Sequence, residues 1–232
     1  MKYKGIPGIY NSFKLPGKEN QSKEETTVIG VLPALVANVI YGNGKGAFFS
    51  VVNIAEHDLA GLNVAGLGNR ASNNISGFNV AGLLNDASRD LSGLNVAGFG
   101  NGASNNISGF NLAGLSNEAS RDLSGLNVAG FVNIAYNNLF GVSISALNYS
   151  GSSNKFAAQA GVWNYIKSVS ETAIQIGLWN HITTPDPEGF IIQIGIINRA
   201  GRTIIPGINI TGWKNLLRKK KQHYAEVSTV KR

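Results

Sequence analysis

Two pairs of acids recur one cycle apart, Asp86/Asp90 and Glu118/Asp122. Lined up at turns, their carboxylate oxygens would make an acidic stripe able to take Ca²⁺. Arg89 and Arg121 stand beside them and no GGxGxD-type calcium turn is present, so charge-paired, solvated turns are the simpler reading. His57, His181 and His223 lack metal-ligand spacing and the chain has no Cys; no metal site and no cofactor are expected. There is no GxSxG elbow, P-loop or HExxH, and the Gly-rich stretch 41–49 reads as a tight turn. The repeated acid pairs fall only in alternate 16-residue units, which argues against a carboxylate cleft, and the chain is not expected to be an enzyme.

Two further groups of residues suit binding rather than catalysis. Trp163 and Trp179 occupy equivalent positions 16 residues apart. They should stack, either as a sugar-binding surface together with Trp213 or as a structural aromatic ladder. Residues 211–232 hold seven Lys/Arg and one Glu, with Arg218, Lys219, Lys220 and Lys221 following Trp213, Leu216 and Leu217. Such a patch would contact anionic lipid, or serve as a solvated, solubilising tail. The rest of the chain is nearly neutral, so the net charge of +7 is no nucleic-acid footprint and no nucleic-acid partner is expected.

These residues are carried on a repeat. Residues 75–90 read ISGFNVAGLLNDASRD and 91–106 read LSGLNVAGFGNGASNN, and the pair recurs over 107–138. The unit is 16 residues and the full cycle 32, which marks a stack of units that bury their apolar side only against neighbours. An Asn recurs through almost the whole chain: Asn38, Asn53, Asn69, Asn85, Asn101, Asn117, Asn133, Asn148, Asn164, Asn180 and Asn198.

Each unit reads as a strand followed by a polar turn. In the C-terminal units Ile174, Ile176, Leu178 and Asn180 share one parity, as do Ile192, Ile194, Ile196 and Asn198, and as do Phe49, Val51 and Asn53 near the N-terminus. Period-two alternation predicts a half-buried strand with those side chains inward. In 91–106 one extra residue at Ala97-Gly98 predicts a bulge or corner that restores the face, with Leu94, Val96, Phe99 and Asn101 all inward. Leu62, Val64, Leu67 and Asn69 follow the same rule. Gly61, Gly77, Gly93, Gly109 and Gly125 are expected at the other strand end.

The fold class is therefore all-β. A β-solenoid is favoured, because equivalent Asn side chains about 4.8 Å apart would form an internal ladder. The alternative is an up-and-down β-meander or outer-membrane barrel, which would scatter the Asn residues; the lack of Tyr and Trp over 59–131 argues against barrel girdles. The organisation expected is an N-terminal arm (1–27), a repeat domain with caps (28–210) and a basic tail (211–232). The more apolar 28–52 and the Pro206-containing 199–217 are expected to cap the stack.

The units QAGVWNYI, IQIGLWNHI, IQIGIINRA, GLNVAGFGN and GFNVAGLLN resemble the tandem GLQIGLxN and GVQVAGLxN units of bacterial surface-repeat proteins, over about residues 45–210. The central units carry Asn where those proteins usually have Gln. The resemblance implies a surface-associated or secreted protein, at a bacterial cell surface or outer membrane, without an assigned activity. The opening MKYKGIPGIYNSF has no apolar signal core, which leaves retention in the cell or removal of a leader. The expected role is a non-enzymatic surface or structural scaffold presenting a regular face for adhesion, to protein or glycan, with homo-oligomers and self-assembling fibres as further expectations.

Overall fold

The computed structural model describes residues 10–13, 27–153 and 155–212. Over these residues the chain is a β-solenoid of parallel strands with about 11 turns. Each strand pairs with its equivalent one repeat later: Leu91 lies beside Ile107, Asn95 beside Asn111 and Ala97 beside Ala113, and Asn101 lies beside Asn117. A meander or barrel would need antiparallel neighbours. Among the described residues the one antiparallel pair is Phe190–Ala200 with Thr203–Thr211, which folds back over the last coil.

One central coil shows how the sequence makes the turn. The strand Leu91–Ala97 is followed by a corner at Gly98 and Phe99, then by the short strand Gly100–Ala103 and a second corner at 104–106. Gly93 lies inside the first strand rather than at its end, with φ of +103°, a value that residues with a Cβ rarely adopt. It bends the strand, so that Leu91 and Asn95 both point inward with one residue of the same parity lost between them.

The inward set is Leu91, Asn95, Ala97, Asn101 and Ala103, all buried. Leu94 and Val96 are half-buried on the outside, and Phe99 is exposed. The expected faces were thus inverted, with Asn101 alone placed correctly. The same correction applies to Leu62, Val64 and Leu67, to Phe49 and Val51, and to the outward Ile174, Ile176, Leu178, Ile192, Ile194 and Ile196. Sixteen residues at about 3.3 Å each enclose only a narrow interior. In the central coils it holds one Leu or Ile per coil beside two Ala and two Asn, and has no room for rows of Leu, Val and Phe.

The segment around 28–52 continues the stack: Ala37–Ile40 and Asn43–Ala55 pair in parallel with the coils that follow, with a one-residue register shift between Ser50 and Val52, and Phe48 fills the core position that Asn63 takes one coil on. Within the expected arm, Tyr10–Phe13 adds a further parallel strand on Ala37–Ile40. Trp213 and the basic residues Arg218, Lys219, Lys220 and Lys221 lie outside the described residues.

Candidate functional site

The interior carries the polar ladder that the repeat implies. Asn53, Asn69, Asn85, Asn101, Asn117, Asn133, Asn148, Asn164, Asn180 and Asn198 are buried. Each amide nitrogen donates to the next Asn Oδ1, at 2.8 Å from Asn53 to Asn69, 2.9 Å from Asn101 to Asn117 and 2.8 Å from Asn180 to Asn198. All point the same way along the rod. The last donor, Asn198, is received by the Gly207 carbonyl at 2.8 Å, so the antiparallel closing strand also terminates the ladder. A side-chain network of this kind stabilises when every member is satisfied and is costly when one is not.

A second ladder was not foreseen. Asn63, Asn79, Asn95, Asn111 and Asn127 bond in series at 2.6–2.7 Å, and the amides of the first ladder donate to their backbone carbonyls, as Asn85 does to Asn79 at 3.3 Å. Further along, Gln193 donates to Gln175 at 2.8 Å and Gln175 to Gln159 at 2.9 Å. The signal was present in the sequence, since GxNVAG recurs at the same spacing as the first Asn.

A third column explains the 32-residue cycle. Asp58, Asn74, Asp90, Asn106, Asp122 and Asn138 alternate along one corner. Asn74 donates its amide to Asp58 at 2.9 Å, Asn106 to Asp90 at 2.9 Å and Asn138 to Asp122 at 3.0 Å. Carboxylates on successive coils, about 4.8 Å apart, would repel. An Asn between them supplies a donor and doubles the charge spacing. The acids therefore act as hydrogen-bond acceptors within the wall. Asp86 instead pairs with Arg70 at 3.6 Å on the exposed surface.

The outer wall formed by the short strands changes character along the rod. Over coils 68–118 its outward positions are Gly68, Arg70, Leu84, Asp86, Gly100, Gly102, Ser116 and Glu118. From Val132 onward they become bulky: Val132, Leu147, Trp163 and Trp179 in one column, and Ile134, Tyr149, Tyr165 and His181 in the next. Where the wall becomes aromatic lies a groove of about 470 Å³, lined by Val132, Ile134, Tyr136, Tyr149, Trp163 and Tyr165 among others.

The rings are stacked at the coil spacing. Trp163 and Trp179 have centroids 5.4 Å apart and planes 19° apart, as their equivalent positions predicted. Tyr149 and Tyr165 are stacked with centroids 5.3 Å apart and planes nearly parallel, and Tyr165 meets His181 edge-on at 5.1 Å. The hydroxyls of two lining tyrosines are held by neighbouring residues: Tyr136 Oη donates to Glu118 Oε1 at 3.3 Å, and the Tyr165 and Thr183 hydroxyls are 3.0 Å apart. The Glu118 carboxylate raises the Tyr136 phenol above its ordinary range.

Burial, and then the Arg199 guanidinium, hold the His181 imidazole below its usual value. A folded-state value lower than the unfolded one means that the unfolded chain takes up the proton first as pH falls. Stability attributable to His181 is therefore intact at neutral pH and is lost as pH drops through the ordinary His range, near 6.5. Thermal melts at pH 7.5 and 5.5 should show a larger drop for the wild type than for His181→Gln; equal drops would exclude this residue as a source.

Comparison with protein-family models, with curated proteins and with solved structures finds no match. The class is given by the fold: a parallel β-solenoid with internal amide ladders, one wall of which carries an aromatic groove.

Proposed function

We propose that this protein is a non-enzymatic scaffold of a bacterial surface whose aromatic groove binds glycan. The observation that carries this reading is the groove at Tyr136, Tyr149, Trp163 and Tyr165. There the repeat exchanges the mostly Gly, Ser and charged outward residues of the preceding coils for stacked rings. Inside the rod every coil keeps its Asn, so folding does not demand Trp or Tyr on the outside. Bulky rings left half-exposed suit contact with the apolar faces of pyranose rings, and the Tyr hydroxyls suit hydrogen bonding to sugar hydroxyls. The resemblance of the repeat units to surface-repeat proteins supports the setting. The antiparallel strand Thr203–Thr211 over the last coil supports a finite rod over fibre growth by continued stacking.

The test is affinity electrophoresis through gels containing defined soluble polysaccharides, with Trp163→Ala/Trp179→Ala beside the wild type. Aromatic contacts of this kind are worth about 0.5–1.5 kcal/mol each beyond their buried area, so losing both should weaken retention about tenfold. The double variant should melt close to the wild type, because both rings are more than 40% exposed. Absence of retention by any polysaccharide, or retention indifferent to the two substitutions, would remove the glycan reading.

A further inference from the structure

The wall formed by the second half of each long strand is apolar along the rod. From Ala47 to Ile196 its outward positions hold only Ala, Val, Leu, Ile, Phe and Gly, with no charged or polar side chain. Many are well exposed: Phe78 45%, Leu83 49%, Phe99 50%, Phe110 40%, Leu115 43% and Phe131 53%. Roughly ten coils at ~4.8 Å and a width of about five strand residues give a strip of ~750 Å². This exceeds the few hundred Å² of contiguous apolar surface that soluble monomers usually tolerate. It is close to the ~800 Å² that each partner contributes to a stable interface of standard size.

The relief of the strip identifies its occupant. In the outward column Leu62, Phe78, Leu94, Phe110, Leu126 the large ring comes in every second coil. In the column at the following corner, Leu83, Phe99, Leu115 and Phe131 alternate in the opposite phase. Each of the four coils from Phe78 to Phe131 thus presents one Phe, in a checkerboard. We infer that this strip is the interface of a two-fold homodimer in which two copies pack face to face with their long axes antiparallel.

A two-fold axis parallel to the strands, between the coils of Phe110 and Leu126, overlaps the strips along their full length. It sets Phe110 opposite the partner's Leu126 and Phe131 opposite the partner's Leu115. It also sets Phe99 opposite the partner's Ala146 and Phe78 opposite the partner's Ala158. Every ring of the checkerboard meets a smaller side chain, as interdigitated sheet packing about 10 Å apart requires. With no charge on either surface, the contact buries no unpaired ion. The repeat cycle of 32 then serves two ends: it spaces the Asp residues along one corner and makes the apolar strip complementary to itself.

The experiment uses the full chain. Sedimentation velocity across a hundredfold range of concentration should show a dimer. Phe110→Glu/Phe131→Glu should be monomeric, with dimerisation weakened more than tenfold, while its melting stays near that of the diluted wild-type monomer because both side chains face outward. The geometry is tested separately in this naturally Cys-free chain. A bismaleimide should link Phe110→Cys chains to Leu126→Cys chains at least tenfold faster than to Leu178→Cys chains. Three results would overturn the inference. One is a wild type that stays monomeric but cosediments with phosphatidylcholine/phosphatidylglycerol vesicles through Phe110 and Phe131, which would make the strip a lipid contact. Another is a monomer that dimerises only after removal of residues 213–232, which would make that segment the cover. The third is a dimer with no preference between the two cross-links. Glycan retention is scored separately, because its residues lie on the adjoining short-strand wall and the Trp163→Ala/Trp179→Ala variant leaves Phe110 and Phe131 in place.

Discussion

Gly109→Ala is expected to unfold the middle of the rod. Gly109 has φ of +104°, and a Cβ built on it would lie 2.1 Å from the carbonyl oxygen of Gly93 on the preceding coil. The next coil repeats the arrangement, with Gly125 over the Gly109 carbonyl at 2.1 Å. Alanine must therefore leave its preferred backbone region, at a cost of about 1–3 kcal/mol, and also push apart two coils whose backbone hydrogen bonds fix their spacing. Neither strain relaxes locally, because the obstructing atom is backbone and is held from both sides. The total should exceed about 4 kcal/mol, within the class of exceptional single substitutions.

Gly102→Ala in the same repeat is the control. Its Cβ would meet only the Asp86 carboxylate oxygen at 3.7 Å, with no unusual φ, and the change should be neutral or stabilising by up to about 1 kcal/mol through the unfolded chain. Urea unfolding followed by far-UV circular dichroism separates the two. A Gly109→Ala midpoint within experimental error of the wild type would show that the coils part more easily than their stacking implies.

How much of this was legible in the sequence depends on which physical quantity is asked for. The 16-residue spacing of Asn38 to Asn198 revealed the stacking and the ladder directly, because a parallel register places each residue on its own repeat. Trp163 over Trp179 followed from the same rule. The direction of the side chains did not follow. Alternation separates two faces without saying which is inside, and the usual presumption that Leu, Val and Phe go in was wrong for Leu94, Val96 and Phe99. What decides it is the width of the coil, set by Gly93 and the Gly98 corner. In the central coils only Ala, Asn and a single Leu or Ile fit within it. The aromatic groove was half legible: the Trp pair was visible, whereas Tyr136, Tyr149 and Tyr165 joined it only once the columns were aligned. The apolar strip could not be seen at all while its residues were taken for core.

Asn101→Ala should cost about 2–4 kcal/mol, from one buried acceptor orphaned and several carbonyls left short of a donor. Asn101 accepts from Asn85 at 2.9 Å and donates to Asn117 Oδ1 at 2.9 Å, to the Leu112 carbonyl at 3.1 Å and to the Asn95 carbonyl at 3.3 Å. Its removal takes from Asn117 Oδ1 the neighbour that supplied its proton, in a site sealed from water. Asn101→Asp is the sharper probe. It keeps the oxygen that receives Asn85 but aims a second oxygen at three acceptors, so the ionised form is both desolvated and repelled. The carboxyl must hold its proton, which raises its folded value above the unfolded ~3.9. By linkage the stability of this variant is retained at low pH and lost as pH rises through the folded value. Its urea midpoint relative to the wild type should therefore be higher at pH 4 than at pH 7. Asn101→Ala, with nothing to titrate, should show no such trend. If instead Asn101→Ala behaves like a change at the outward Ser92, the amide ladder would be a passenger of the backbone stack. The rod would then be held by its parallel strands and its single row of Leu and Ile.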